Sequence, residues 1–247
     1  MFFQADPGTS WAGSIAACME YPHNRPYTAD DLVRIITLLR DPVNGCPWDK
    51  VQTHTSIRMN FLEEAYEAVD ALDLDDPVLM CEELGDVLMQ VAFHTCMEQE
   101  TGRFTWEQVC DGVCQKLIER HPNIFGTQPG YEGITDWDAL KNKEKGRRTL
   151  ADDLESVPRA MPALMRAAKL QKRAARHGAA LQGADVVALA DAAENLQTAQ
   201  PASAQAEQAV GELLFAAANL ARQAGVDPEQ ALQKANEAFC TAAGPVA

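Results

Sequence analysis

Two stretches decide the architecture: LEEAYEAVDAL at residues 62–72 and EELGDVLMQ at residues 82–90. Each holds a pair of acids spaced i, i+3, Glu64 with Glu67 and Glu83 with Asp86. On a helix that spacing sends both carboxylates from one face, about one turn apart. Fifteen residues separate Glu67 from Glu83, and among them Asp75-Asp76-Pro77 reads as a helix stop and restart. Two antiparallel helices would therefore bring four carboxylates together. Like charges at that range repel strongly in a low dielectric, so the arrangement calls for a cation. An all-oxygen donor set suits a hard divalent ion, Mg²⁺ or Mn²⁺.

Working outward, helical periodicity dominates and no alternating strand pattern stands out. The sequence predicts helices near residues 28–40, 56–74, 77–100, 105–121 and 137–146, then 160–176, 185–198, 203–224 and 227–242. The fold class is all-α. Between the first two helices lies Asn44-Gly-Cys-Pro-Trp-Asp49, dense in turn formers. Residues 1–27 read as an irregular extension, 28–150 as a catalytic domain and 151–247 as a second domain, with a Pro-containing, linker-like boundary near 150–158.

The second half reads as a copy of the first. QAVGELLFAAANLA at 208–221 pairs with EELGDVLMQVAFHT at 82–95, and ADAAENLQTA at 190–199 pairs with LEEAYEAVDAL. The offset is 128 residues for the first motif and 126 for the second, so Glu64, Glu67, Glu83 and Asp86 map to Ala192, Asn195, Ala209 and Glu212. Three of the four carboxylates are gone. The second copy is not expected to hold a metal.

Bulk properties narrow the function. The 247-residue chain carries a net charge of −15, which argues against a partner in polymeric nucleic acid, whose phosphates need basic surface. A nucleotide is not excluded, since a metal and a few cations can reverse the field within one cleft. No stretch approaches the ~20 apolar residues of a membrane span. The start lacks the basic residues of a signal peptide, and seven cysteines without a CxxC pair read as free thiols of a reducing compartment. These features predict a cytoplasmic protein with no membrane partner.

The motifs together resemble one family. GCPWDKVQTHTSI at residues 45–57, followed by LEEAYEAVDAL and EELGDVLMQVAFHT, is similar to the MazG nucleoside triphosphate pyrophosphohydrolases, and the resemblance runs from about residue 30 to 240. It implies an all-α fold of tandem MazG-like units with a four-helix-bundle metal site. It also implies a homodimer and Mg²⁺-dependent cleavage of nucleoside triphosphates to monophosphate and pyrophosphate, a nucleotide-pool housecleaning activity. The ligands it carries over are Glu64, Glu67, Glu83 and Asp86. The general base stays open among Glu64, Glu67 and Glu63, the last about 100° round the helix from Glu64. Trp48 is a candidate to stack on a base. Lys50, Arg58, Lys116 and Arg120 are candidates for the phosphates, the last two spaced i, i+4 on one helix face.

His94 reads as a polar core residue. Where tandem relatives place a GFDW-like segment, this chain has Gly178-Ala-Ala-Leu-Gln-Gly183, so the second copy lacks its tryptophan as well as its metal ligands. That opens a competing expectation of a different class, a nucleotide-binding regulator or scaffold with weak turnover. A di-iron carboxylate protein fits less well, because neither acidic helix carries the Glu-x-x-His pair of such sites.

Overall fold

The computed structural model describes residues 20–23, 25–122, 124–126, 145–146 and 149–244. It is helical, with no β-strand among the described residues. The chain divides into two compact units, Met1–Gly133 and Ile134–Ala247, so the boundary expected near 150 lies within the second. Most of the helix expected at 137–146 falls outside the described residues, as does Cys18.

Four helices lie among the described residues of the first unit. Helix α1 (Ala29–Leu39) is opened by a capping box between Thr28 and Asp31. A single 3₁₀ turn, Asp49–Val51, follows in the connecting loop. Helix α2 (Arg58–Leu74) ends at Asp75, whose left-handed backbone (φ 53°) turns the chain. Asp76 then caps α3 (Pro77–Glu100), accepting bonds from the amides of Val78 and Leu79, with Pro77 at the first helical position where its missing N–H costs nothing. The connector between α2 and α3 is thus two residues long. Helix α4 (Trp106–Arg120) opens with a second capping box, Thr105 with Gln108.

Helix α3 is the axis of this unit and packs on α1, α2 and α4. The core comprises Ile36, Ile57, Ala92, Phe93, Cys96, Met97 and Trp106. Truncating an indole or phenyl ring there would cost about 3–5 kcal/mol. All four core residues of α3 lie in its C-terminal half. The N-terminal half, with Glu83 and Asp86, pairs with α2 outside that apolar cluster. The apolar cluster anchors one end of the α2–α3 pair and leaves the other free for charged groups.

The second unit contains α5 (Leu150–Glu155), α6 (Ala163–Arg176), α7 (Val186–Thr198), α8 (Ala204–Gln223) and α9 (Pro228–Ala243). Helix α8 packs on α7 and α6, and α9 touches α6 and α8. The seam is lined by alanines, with Ala192, Ala209, Ala216 and Ala218 all buried. A buried carboxylate needs cationic partners. Asp153 of α5 has them in Arg173 at 2.9 Å and Arg176 at 3.0 Å, with His177 Nε2 also 3.2 Å away, which ties α5 to the end of α6. No helix among the described residues is long and apolar enough to cross a membrane.

Candidate metal and substrate site

Helix α2 brings Glu64 and Glu67 to its face toward α3, and α3 supplies Glu83 and Asp86. One carboxylate oxygen from each of Glu64, Glu83 and Asp86 lies within 4.8 Å of the others, and all three side chains are half-buried. Glu67 is exposed and outside this tightest group. It is nonetheless electrostatically coupled to it. The Glu64 carboxyl is pushed above its ordinary pKa by burial first, then by the charges of Asp86 and Glu67. Glu83 is raised in the same way, by desolvation and then by Glu67, Asp86 and Glu82.

None of the four acids has a Lys or Arg ion partner among the described residues. Among the described residues, no cation is paired with them to relieve their mutual repulsion. The donor set is all oxygen and partly desolvated, and it fits a hard divalent cation.

One member was not visible in the sequence pattern. Gln90 is buried on α3, and its amide nitrogen donates to Glu64 Oε1 at 3.5 Å while its own Oε1 has no partner among the described residues. It stands four residues after Asp86, on the same helical face, where it orients Glu64. The sequence offers only its position, one turn beyond Asp86.

Phe93 continues this face, seven residues or about 10 Å beyond Asp86 along the helix axis. The Trp48 ring meets it edge-on at 6.5 Å and 75°. An exposed indole thus stands at the far end of the stripe that begins with the carboxylates. Lys50 is half-buried in the 3₁₀ turn beside Trp48.

The remaining candidates are less closely gathered. Arg58 is exposed at the first residue of α2, six positions before Glu64 and so about 120° away around the helix. Lys116 is exposed and Arg120 half-buried, one turn apart on α4, which packs on α3. Glu63 is exposed and makes no side-chain hydrogen bond or ion pair among the described residues, consistent with its different helical face.

A second polar cluster lies near the C-terminal end of α3. His54 Nε2 contacts the buried Glu98 carboxylate at 2.5 Å, and Arg103 meets the same group at 2.7 Å. His54 Nδ1 is 2.7 Å from His94 Nδ1, with the ring planes only 6° apart. A contact of that length holds one proton. With Glu98 accepting from the His54 Nε2–H, His54 Nδ1 accepts in turn from the His94 Nδ1–H when both rings are neutral. Burial, then the neighbouring His54, depresses the His94 pKa below its ordinary value. His94 therefore acts as a hydrogen-bonded structural group, and His54 is the partner that spacing could not reveal.

Comparison with known proteins identifies the family. Residues 52–125 match the model of the MazG nucleotide pyrophosphohydrolase domain, a span containing all four acids, Lys116 and Arg120. Over 219 residues the chain is 41% identical to a nucleoside triphosphate pyrophosphohydrolase of Escherichia coli (strain K12), covering 85% of this chain and 83% of the relative. It is 39% identical over 212 residues to a Thermotoga maritima protein named nucleoside triphosphate pyrophosphohydrolase/pyrophosphatase MazG, covering 85% and 82%. With an all-helical fold, a paired acidic motif and likeness along most of its length to these relatives, the chain belongs to the MazG family of nucleotide pyrophosphohydrolases.

Proposed function

We propose that this chain is a divalent-metal-dependent enzyme that hydrolyses nucleoside triphosphates to nucleoside monophosphate and pyrophosphate. The observation that carries the reading is the convergence of the Glu64, Glu83 and Asp86 oxygens within 4.8 Å, with no Lys or Arg ion partner among the described residues. These three, with Glu67, would hold Mg²⁺ or Mn²⁺. When bound, such an ion supplies charge neutralisation for a triphosphate and makes water more acidic.

The protein groups divide the remaining work. Gln90 keeps Glu64 in the orientation that faces the cluster. Glu67, outside the tightest trio yet beside it, has lone pairs left to accept the proton of the attacking water, and we assign it as the general base. Trp48 offers a flat surface for the base, and Lys50 a cation next to it. Lys116 and Arg120 on α4 are the groups offered to the departing pyrophosphate. Exposed apolar residues on α2 (Tyr66, Val69, Leu72) and α3 (Leu84, Leu88) support a homodimer through the same helix pair.

The second unit, in this reading, is a degenerate copy that supports structure without catalysing. The test is pyrophosphate release from a panel of ribo- and deoxynucleoside triphosphates, with Mg²⁺ and after chelation. Metal-dependent release is expected, and Glu67→Gln should still lose kcat when its weaker hold on Mg²⁺ is made up by saturating Mg²⁺. Tight nucleotide binding without release would instead identify a regulator or scaffold.

A further inference from the structure

Arg40 closes α1 and is buried, only 8% exposed. A buried guanidinium is costly unless its donors are matched, so its partners show what it is for. Nε and Nη2 donate to the two oxygens of Glu100 at 2.5 and 2.8 Å, a bidentate grip on the last residue of α3. Nη1 turns the other way and donates to the backbone carbonyls of Asp49 at 2.7 Å and Gln52 at 3.2 Å. The same guanidinium lies 5.2 Å from the centre of the Phe93 ring, the ring that Trp48 meets edge-on. One side chain therefore joins α3, the 3₁₀ turn and the aromatic backing of Trp48.

The loop does not need Arg40 for its own shape. Asp41 Oδ1 accepts from the amides of Val43 and Asn44, and the amides of Gly45 and Cys46 return to the carbonyls of Asp41 and Leu39. Lys50 N–H closes on Cys46 C=O, and the Gln52 side chain donates to Trp48 C=O. At Gly45 any Cβ would sit 2.4 Å from two carbonyl oxygens, so the reversal itself demands glycine. These bonds are local and define a rigid turn. They do not fix where that turn lies against α3. The long-range bonds that do so at the Trp48–Gln52 segment come from Arg40.

We propose that Arg40 is a positioning residue for the nucleotide: it sets the Trp48–Gln52 turn against Phe93 so that Trp48 and Lys50 stand at a fixed distance from the carboxylates. This rests on reading Trp48 and Lys50 as substrate contacts. A lysine at position 40 would keep the charge but lose the fork that serves Glu100 and two carbonyls together.

The experiment is a double-mutant cycle in the full-length enzyme, with KM and kcat for a nucleoside triphosphate measured at saturating Mg²⁺. Arg40→Lys and Trp48→Ala are each expected to raise KM about tenfold, one contact's worth, with kcat changed by less than about threefold. The double variant should be no worse than the poorer single one, since both remove the same contact. The Mg²⁺ concentration for half-activation should stay at the wild-type value. Glu100→Gln, which weakens the grip from the exposed side and spares the core, should raise KM about threefold and serves if Arg40→Lys folds poorly. A raised KM in Trp48→Ala with wild-type KM in both Arg40→Lys and Glu100→Gln would overturn the role of Arg40 alone. Wild-type KM in Trp48→Ala would overturn the substrate reading of the loop and this proposal with it. Fully multiplicative effects in the cycle would also reject it.

Discussion

The α2–α3 pair and the α7–α8 pair are both packed helix pairs, and at the positions that the repeat read from the sequence matches they carry opposite chemistry. Glu64 and Glu83 are half-buried acids, whereas Ala192 and Ala209, which align with them, are 1% and 2% exposed in the seam between α7 and α8. Glu212, the surviving acid, is exposed and accepts from the Gln208 amide at 2.8 Å. The same positions thus serve as a charged site in one unit and as a close-packing seam in the other. Small side chains let two helices approach, while clustered carboxylates repel unless a cation joins them, as the proposed function has it. Where the proposed repeat pairs an acid with an alanine, the second unit has a buried packing contact.

The comparison is most directly broken by catalysis. Glu64→Ala or Asp86→Ala should lower kcat/KM at least about 100-fold, while Glu212→Ala should leave it within about twofold. Pyrophosphate release decides the matter, and a large loss in Glu212→Ala would end the asymmetry. Packing offers the reverse experiment. Ala209→Glu places an unpaired charge in the alanine seam and should destabilise by about 3 kcal/mol, whereas Glu83→Ala should cost nothing in metal-free protein. Denaturant unfolding of the two variants compares these directly.

Metal should also distinguish the units. Mg²⁺ at a hundredfold excess over its Kd should stabilise the first unit by about 2.7 kcal/mol. That gain should vanish in Asp86→Ala and persist in Glu212→Ala, as followed by thermal unfolding with and without chelator.

The smallest expected effect concerns pH. His94 is held below its ordinary pKa in the folded chain, so the unfolded state takes up a proton first as pH falls below about 6.5. Its contribution to stability is present above that value and is lost as pH falls through the window down to the folded pKa. His94→Gln should flatten this part of the stability–pH curve. An unchanged slope would show that the His54–His94 contact is not the group titrating there.

Much of this was legible in the sequence because it is local. Asp75-Asp76-Pro77 announces a helix stop and restart, and in the structure Asp75 ends α2 while Asp76 caps α3. The quartet was legible because i, i+3 spacing fixes a face. Arg40 with Glu100 and His54 with His94 were not, since these partners lie 60 and 40 residues apart and no periodicity links them. Gln90 was hidden for another reason: an amide in an apolar run looks like an ordinary polar interruption until Glu64 is placed opposite it.

The two-residue connector Asp75-Asp76 also acts as a phase lock between α2 and α3. One inserted residue, if taken up by α3, would rotate it by about 100° and swing Glu83 and Asp86 away from Glu64. The corresponding link between α7 and α8, residues 199–203, is five residues long, and an alanine seam has no charges to keep in phase. Length variation is therefore forbidden at one hinge and harmless at the other. The shortest loop in the first unit guards its chemistry as strictly as the acids themselves.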